Sequence, residues 1–110
     1  MRRLKVLFRS EASDDLEEIY RYVYRVSRSA AAADKFVARI RRKCRKIGNV
    51  PYGGVARDDL GPGLRTVPFE STAVIAYRIV DVVEITNVFY GGRDYESLYR
   101  GATSTEADES

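Results

Sequence analysis

The run Thr72-Ala73-Val74-Ile75-Ala76-Tyr77-Arg78-Ile79-Val80-Asp81-Val82-Val83-Glu84-Ile85-Thr86-Asn87-Val88-Phe89-Tyr90 decides the fold. Its first half alternates. Ala73, Ile75, Tyr77 and Ile79 fall on one face, and Val74, Ala76, Arg78 and Val80 on the other. That is the period of a strand, and residues 82–90 form a second strand with less regular alternation. Asp81 alone separates them, so the connection is tight and the pair runs antiparallel.

Upstream the period changes to that of helices. Ala12, Leu16, Ile19, Val23 and Val26 recur at spacings of four and three, an amphipathic helix of about four turns. Ser10 is placed to cap it, and Asp14, Asp15, Glu17 and Glu18 crowd its start, where the helix dipole favours negative charge. Ser29 is placed to cap a second helix with apolar positions Ala33, Phe36, Val37, Ile40, Cys44 and Ile47. Gly48 and Pro51 stop that helix. Residues 3–9 read as a strand. Residues 51–63, with Gly53, Gly54, Gly61, Gly63, Pro51 and Pro62, read as a loop. Leu64 to Pro68 form a short strand, limited by Pro68 to an edge or end. Asp94 to Tyr99 suit a helical turn, and Gly91-Gly92 ends the sheet.

The expected order is β-α-α-β-β-β, an α+β fold in two layers. A helical hairpin covers one face of a small, mostly antiparallel sheet and leaves the other face partly open. A chain of 110 residues holds one domain, expected over residues 1–100. Residues 101–110 are small, polar and acidic, and read as a flexible tail.

Composition narrows the chemistry. There is no His, which removes the commonest general base and metal ligand, and a single Cys forms no internal disulfide. No motif implies a cofactor or a metal site. No apolar run approaches the ~20 residues that cross a bilayer, and residues 1–9 are too short and too charged for a signal peptide. The cytoplasm is the expected compartment, with no membrane partner.

The net charge of +3 hides an asymmetry. Residues 1–50 hold 14 basic and 6 acidic residues, and residues 51–110 hold 5 and 10. Seven basic residues lie between Lys35 and Lys46, read first as a solvated face and second as a contact for an anion or a protein partner. The basic residues of the second half are all Arg: Arg57, Arg65, Arg78, Arg93 and Arg100. Arg suits planar, bidentate or stacked contacts.

The ordered set of short stretches resembles the ParE branch of the ParE/RelE toxin superfamily. These stretches are Ala12-Ser13-Asp14-Asp15-Leu16-Glu17-Glu18-Ile19-Tyr20, Ala32-Ala33-Asp34-Lys35-Phe36-Val37 and Pro51-Tyr52-Gly53-Gly54. Gly63-Leu64-Arg65, Ala76-Tyr77-Arg78-Ile79, Val83-Glu84-Ile85 and Gly91-Gly92-Arg93-Asp94-Tyr95 continue it, so that it covers roughly residues 5–99. The resemblance implies the toxin of a type II toxin–antitoxin pair, held inactive by a separately encoded ParD-like antitoxin. It implies DNA gyrase as the target, poisoned by binding rather than turnover. The toxin itself is not expected to bind DNA sequence-specifically. The alternative is a RelE-like endonuclease that cuts mRNA in the ribosome.

Chemistry separates the two readings. A His-free RNase must activate a 2′-hydroxyl and stabilise a phosphorane with Lys, Arg and Tyr. Arg65, Arg93 and Tyr99 match part of that set, as catalytic groups in the endonuclease reading. Val67 and Val74 stand where further phosphate ligands are needed, and no Lys follows Lys46. The gyrase reading is therefore preferred, with Arg65, Arg78, Arg93, Tyr95 and Tyr99 as target contacts on the open sheet face. Tyr20, Tyr24, Phe36, Arg39 and Lys43 are the expected antitoxin contacts. Plainer roles stand beside these: Arg65 pairing with Glu70 or Asp94, Arg93 and Asp94 anchoring a turn, Tyr77 in the core, Tyr99 packing the terminal turn, and Cys44 as a buried hydrophobe.

Overall fold

The computed structural model describes residues 3–91 and 94–100. Its elements are β1 (Val6–Phe8), α1 (Ser10–Ser27), α2 (Ala30–Ile47), β2 (Val55–Ala56), β3 (Arg65–Phe69), β4 (Ala73–Ile79) and β5 (Val83–Tyr90). Residues 95–100 add a last helical turn, α3. The sheet order is β1-β5-β4-β3-β2. All neighbours are antiparallel except β1, which lies parallel to β5. The α+β class and the hairpin-on-sheet architecture are as the sequence implies.

Several local expectations are corrected. The first strand starts at Val6, not at residue 3. Ser10 lies inside α1, whose N-cap is Arg9 with no side-chain cap bond. Its hydroxyl instead donates to Glu11 at 3.3 Å. Ser29 does cap α2, accepting from the Ala32 N–H at 3.1 Å. Val26 is 66% exposed, because the stripe of α1 has turned away from the sheet by its last turn. The loop 51–63 contains β2, whose two residues pair with Thr66 and Arg65. Three residues, Val80 to Val82, connect β4 to β5 rather than Asp81 alone.

The irregular alternation of β5 has a structural cause. Tyr77 faces Ile85 and Ala76 faces Asn87, so Thr86 is an extra residue on β5. A bulge of this kind moves every later side chain to the other face. Val83 and Ile85 therefore point to the helices before the bulge, and Val88 after it. Asp15 on α1 accepts from the Val88 N–H at 2.9 Å and from Asn87 Nδ2 at 3.2 Å, covering β5 where β1 has ended.

The main core lies between hairpin and sheet. Ala12, Leu16 and Ile19 of α1 and Ile40, Cys44 and Ile47 of α2 pack on Ile75, Tyr77, Val83, Ile85 and Val88. Fully burying an aliphatic side chain contributes about 1.5–3 kcal/mol, so these stripes hold the layers together. Cys44 is a buried hydrophobe, its thiol pushed up by burial to about 12. Gly48 ends α2 in ordinary right-handed geometry. Its value is space, since a Cβ there would collide with the Leu4 carbonyl and meet Val6 Cγ2 at 2.9 Å.

The β3–β4 turn carries strain. Glu70 and Ser71 take φ of 46° and 59°, and the Thr72 N–H returns to the Phe69 carbonyl at 3.0 Å. Two left-handed residues make a type I′ turn, which favours Asn-Gly. Ser71→Gly is therefore expected to stabilise the fold by about 1 kcal/mol, read as a higher urea midpoint. Glu70 is left in place because it pairs with Arg39 at 2.9 Å.

Candidate functional site

A second, smaller apolar cluster lies on the sheet face away from the hairpin. Leu64, Ala76 and Phe89 form its buried centre, with Leu60, Tyr95 and Tyr99 packed against them. The Tyr95 ring stacks on Phe89 at 5.3 Å with planes 15° apart, and Tyr99 meets Phe89 edge-on at 6.1 Å. Thus α3 covers part of the face that the sequence left open. Asp94 begins α3, accepting from the Ser97 N–H at 3.2 Å and the Ser97 hydroxyl at 2.6 Å. Those bonds hold its carboxyl below the usual range.

A charged network ties α3 to the loop before β3. Arg57 makes two bonds to Asp59, at 3.0 and 2.8 Å, and reaches Glu96 at 2.6 Å and the Tyr95 hydroxyl at 3.4 Å. Arg100 approaches Asp59 and Glu96 at 3.6 and 3.7 Å. The Arg57 hydrogen bonds lower the Asp59 carboxyl, as Arg39 lowers that of Glu70. A carboxyl lowered in the folded state stabilises it above its unfolded value, and loses that contribution as pH falls. The ordinary values are 3.8 for Asp59 and 4.5 for Glu70. The urea midpoint should hold between pH 7 and about 5 and fall progressively below about 4. An Asp59→Asn, Glu70→Gln chain should show a shallower fall.

Beside α3 lies a cleft of about 270 Å³ lined by Arg9, Glu11, Leu64, Arg78, Thr86, Asn87 and Tyr99. Arg78 is exposed on β4, and Tyr99 is half-buried. Burial pushes the Tyr99 hydroxyl up, partly offset by the charge of Arg78. Arg78, Tyr95 and Tyr99 are thus brought to one face of the sheet.

Arg65 is not with them. It stands opposite Tyr77 in the β3–β4 register, and directly opposed residues share a face. Tyr77 points into the hairpin core, so Arg65 also lies on the hairpin side. Neither Glu70 nor Asp94 is its partner. Arg65 donates to the carbonyls of Tyr52 and Gly54, at 3.0 and 2.8 Å, and stacks over the Tyr52 ring at 5.4 Å. Its role is to clamp the loop that precedes β2. Beside that loop is an apolar cleft of about 600 Å³ lined by Leu4, Val50, Pro51, Tyr52, Ile79 and Val80 among others. The grouping of Arg65 and Arg78 on one surface is corrected accordingly. Arg93 lies outside the described residues, as do Gly92 and residues 101–110. Val67 and Val74 lie on opposite faces of the sheet, Val67 opposite Ile75 on the hairpin side and Val74 opposite Pro68 on the other.

The five residues expected to meet an antitoxin spread over the hairpin. Tyr20 is half-buried, Tyr24 is 49% exposed, and their rings meet edge-on at 6.4 Å. Phe36 packs between Phe69 and Tyr90 at 6.0 and 5.3 Å, with the Arg39 guanidinium 5.1 Å from its ring. Lys43 is half-buried. Tyr22 extends the aromatic set, meeting Tyr90 at 5.4 Å in a cleft of about 500 Å³ between α1 and the end of β5. Sequence reading missed Tyr22 and Tyr90 as partners, because the β5 bulge is what turns Tyr90 toward the helices. It also missed Arg57 as a hub. The local signals were Asp59 two residues on and the Glu96–Arg100 pair at helical spacing.

Among the described residues no cluster of His, Cys, Asp or Glu is arranged to hold a metal ion. No helix among them is long and apolar enough to cross a membrane.

The family model described as the ParE toxin of the type II toxin–antitoxin system parDE matches residues 6–95. No curated protein matches the chain. A solved structure described as a chromosomal ParDE toxin–antitoxin system from P. aeruginosa is similar in fold, with a TM-score of 0.69 at 22% identity. The match covers 80% of this chain and 96% of that one.

Proposed function

The chain belongs to the ParE toxin family of type II toxin–antitoxin systems, and on that premise we propose that it inhibits DNA gyrase by stoichiometric binding and is neutralised by a ParD-like antitoxin. The target surface is the sheet face that carries Arg78, Tyr95 and Tyr99, and the family resemblance adds Arg93 as a further target contact. Arg65 supports it indirectly by fixing the loop at Tyr52 and Gly54.

The observation that carries binding over turnover is the separation of Arg65 from Arg78 and Tyr99 by the sheet itself. A His-free RNase needs its cations and its proton-transfer group on one phosphate. Here one of the cations of that set is turned away, with one guanidinium nitrogen bonded to two backbone carbonyls. Burial also keeps the Tyr99 hydroxyl protonated to higher pH than a free tyrosine, so less of it is available as the base.

The antitoxin docks on the hairpin, over Tyr20 and Tyr24 with Phe36, Arg39 and Lys43. Tyr is enriched at protein interfaces, and two exposed or half-exposed rings in contact form a ready anchor. Hydrogen exchange along residues 17–28, free and antitoxin-bound, checks the placement. Added protection is expected there, and unchanged exchange refutes it.

The target is tested by adding the purified chain to a gyrase supercoiling reaction and, in parallel, to a translating ribosome extract. Supercoiling should fall in proportion to toxin added, with mRNA intact. Site-specific mRNA cuts that vanish in Tyr99→Phe would establish the endonuclease instead.

A further inference from the structure

Among the described residues, four arginines outside α2 lie against carboxylates. Arg9 approaches Glu11 and Glu84, Arg21 reaches Glu17, and Arg57 and Arg100 share Asp59 and Glu96. Of the seven basic residues from Lys35 to Lys46, only Arg39 meets a carboxylate among the described residues, at Glu70. At ~100° per residue, Lys35, Arg39, Arg42 and Lys46 fall within about 60° of one another, on a straight ridge about 16 Å long. All four are exposed, and exposed Arg45 flanks them. Like charges three and four residues apart disfavour the helix, and no acid on α2 beyond Asp34 relieves them.

The chemistry of the ridge selects its partner. The exposed large apolar side chains of the described chain are Leu7, Tyr22, Tyr24, Val26, Val50, Tyr52, Val55, Val80 and Leu98. None lies on α2. A protein interface needs a desolvated apolar or aromatic centre and is depleted in Lys. A phosphate backbone needs only cations held in a row.

We propose that the exposed ridge of α2 binds the phosphate backbone of duplex DNA, without sequence preference. Lys35, Arg42 and Lys46 supply charges that meet no carboxylate among the described residues, Arg45 adds to them from the flank, and Arg39 is largely neutralised by Glu70. The contact does not depend on which enzyme the toxin inhibits. It places the toxin beside DNA, with its other sheet face free.

The test is fluorescence anisotropy of a labelled 20-base-pair duplex with the full chain, between 50 and 200 mM salt. Three neutralised phosphates predict a slope of log K against log salt of about −2.7, a loss of about 40-fold over that range. The Lys35→Gln, Arg42→Gln, Lys46→Gln chain should bind on the order of tenfold or more weaker at 50 mM, with a slope near zero. Its circular dichroism should match the parent. The charge-preserving Lys35→Arg, Arg42→Lys, Lys46→Arg chain should keep affinity and slope. An unchanged slope in the neutral variant overturns the proposal. So does loss of binding in Arg9→Gln, Arg78→Gln, which would move the anion site to the opposite sheet face. Displacement of the duplex by a glutamate-rich peptide at equal charge also overturns it, in favour of an acidic protein partner.

Discussion

Tyr77→Ala is expected to lower the unfolding free energy by about 3–5 kcal/mol, the cost of emptying a large aromatic site in a packed core. Tyr77 is fully buried at the centre of the hairpin-side core. Its hydroxyl does a second task. It donates to the Pro51 carbonyl at 2.8 Å and accepts from the Gly54 N–H at 3.1 Å, so one side chain pins both ends of a four-residue loop. Gly54 has to lack a side chain for this, since a Cβ there would meet the Tyr77 hydroxyl at 2.5 Å and the Thr66 carbonyl at 2.9 Å. Tyr77→Phe separates the two contributions. It keeps the ring but leaves the buried Pro51 carbonyl unsatisfied, and should cost about 1–2 kcal/mol. A domain with a total stability of about 5–15 kcal/mol is left marginal by the first change and folded by the second. Urea unfolding checks both. Equal losses for the two variants would mean that the loop, not the ring, dominates. Because Arg65 holds the same loop through Tyr52 and Gly54, Tyr77→Phe should also raise the accessibility of Tyr52 to solvent probes.

The layers of this fold are legible in the sequence because they depend on period. Leu16 and Ile19 on α1, Ile40 and Cys44 on α2, and Ile75, Tyr77 and Ile85 on the strands are where spacing puts them, and burial follows. What depends on register is not legible in the same way. The face of Arg65 is set by the β3–β4 turn, and that turn is built from Glu70 and Ser71, residues without a hairpin signature. Three residues, Glu70 to Thr72, separate the paired Phe69 and Ala73, whereas a two-residue turn at 70–71 would set Arg65 opposite Ala76, on the other face. The bulge at Thr86 is hidden for a related reason. Alternation fails there, but a failure of alternation does not say which residue is the extra one. β2 is two residues long and carries no period at all. Of the candidate site, Arg78, Tyr95 and Tyr99 come together as a strand and a terminal turn on one face would bring them. The network at Arg57 joins residues about forty apart, and pairs of that separation leave no local pattern.

Arg57→Met should release α3 from the sheet and, where the chain acts on gyrase as proposed, weaken that inhibition on the order of tenfold, the scale expected when several aligned charge pairs of one network are lost together. Arg57 makes the short bonds to both sides of the junction, Asp59 in its own loop and Glu96 with Tyr95 on α3, where Arg100 reaches the same two carboxylates only at 3.6 and 3.7 Å. Its side chain is 18% exposed, against 53% for Asp59 and 37% for Glu96, so solvent screens it least. Removing its charge does more than delete bonds. It leaves Asp59 and Glu96 held near each other with only Arg100, at 3.6 and 3.7 Å, between them. Repulsion then acts on a helix that contributes two aromatic rings, Tyr95 and Tyr99, to a small cluster around Phe89. Met keeps the apolar reach of the Arg stem, so the effect reads charge rather than volume. Amide exchange of residues 95–100 should accelerate, while β4 and β5 keep their protection, because the main core does not include α3. Arg100→Met, which removes the longer and more exposed contacts, should have a much smaller effect on both measures. If α3 opens in Arg57→Met and gyrase is inhibited as before, then Tyr95 and Tyr99 are packing residues, and the target contact rests on Arg78 and its neighbours on β4.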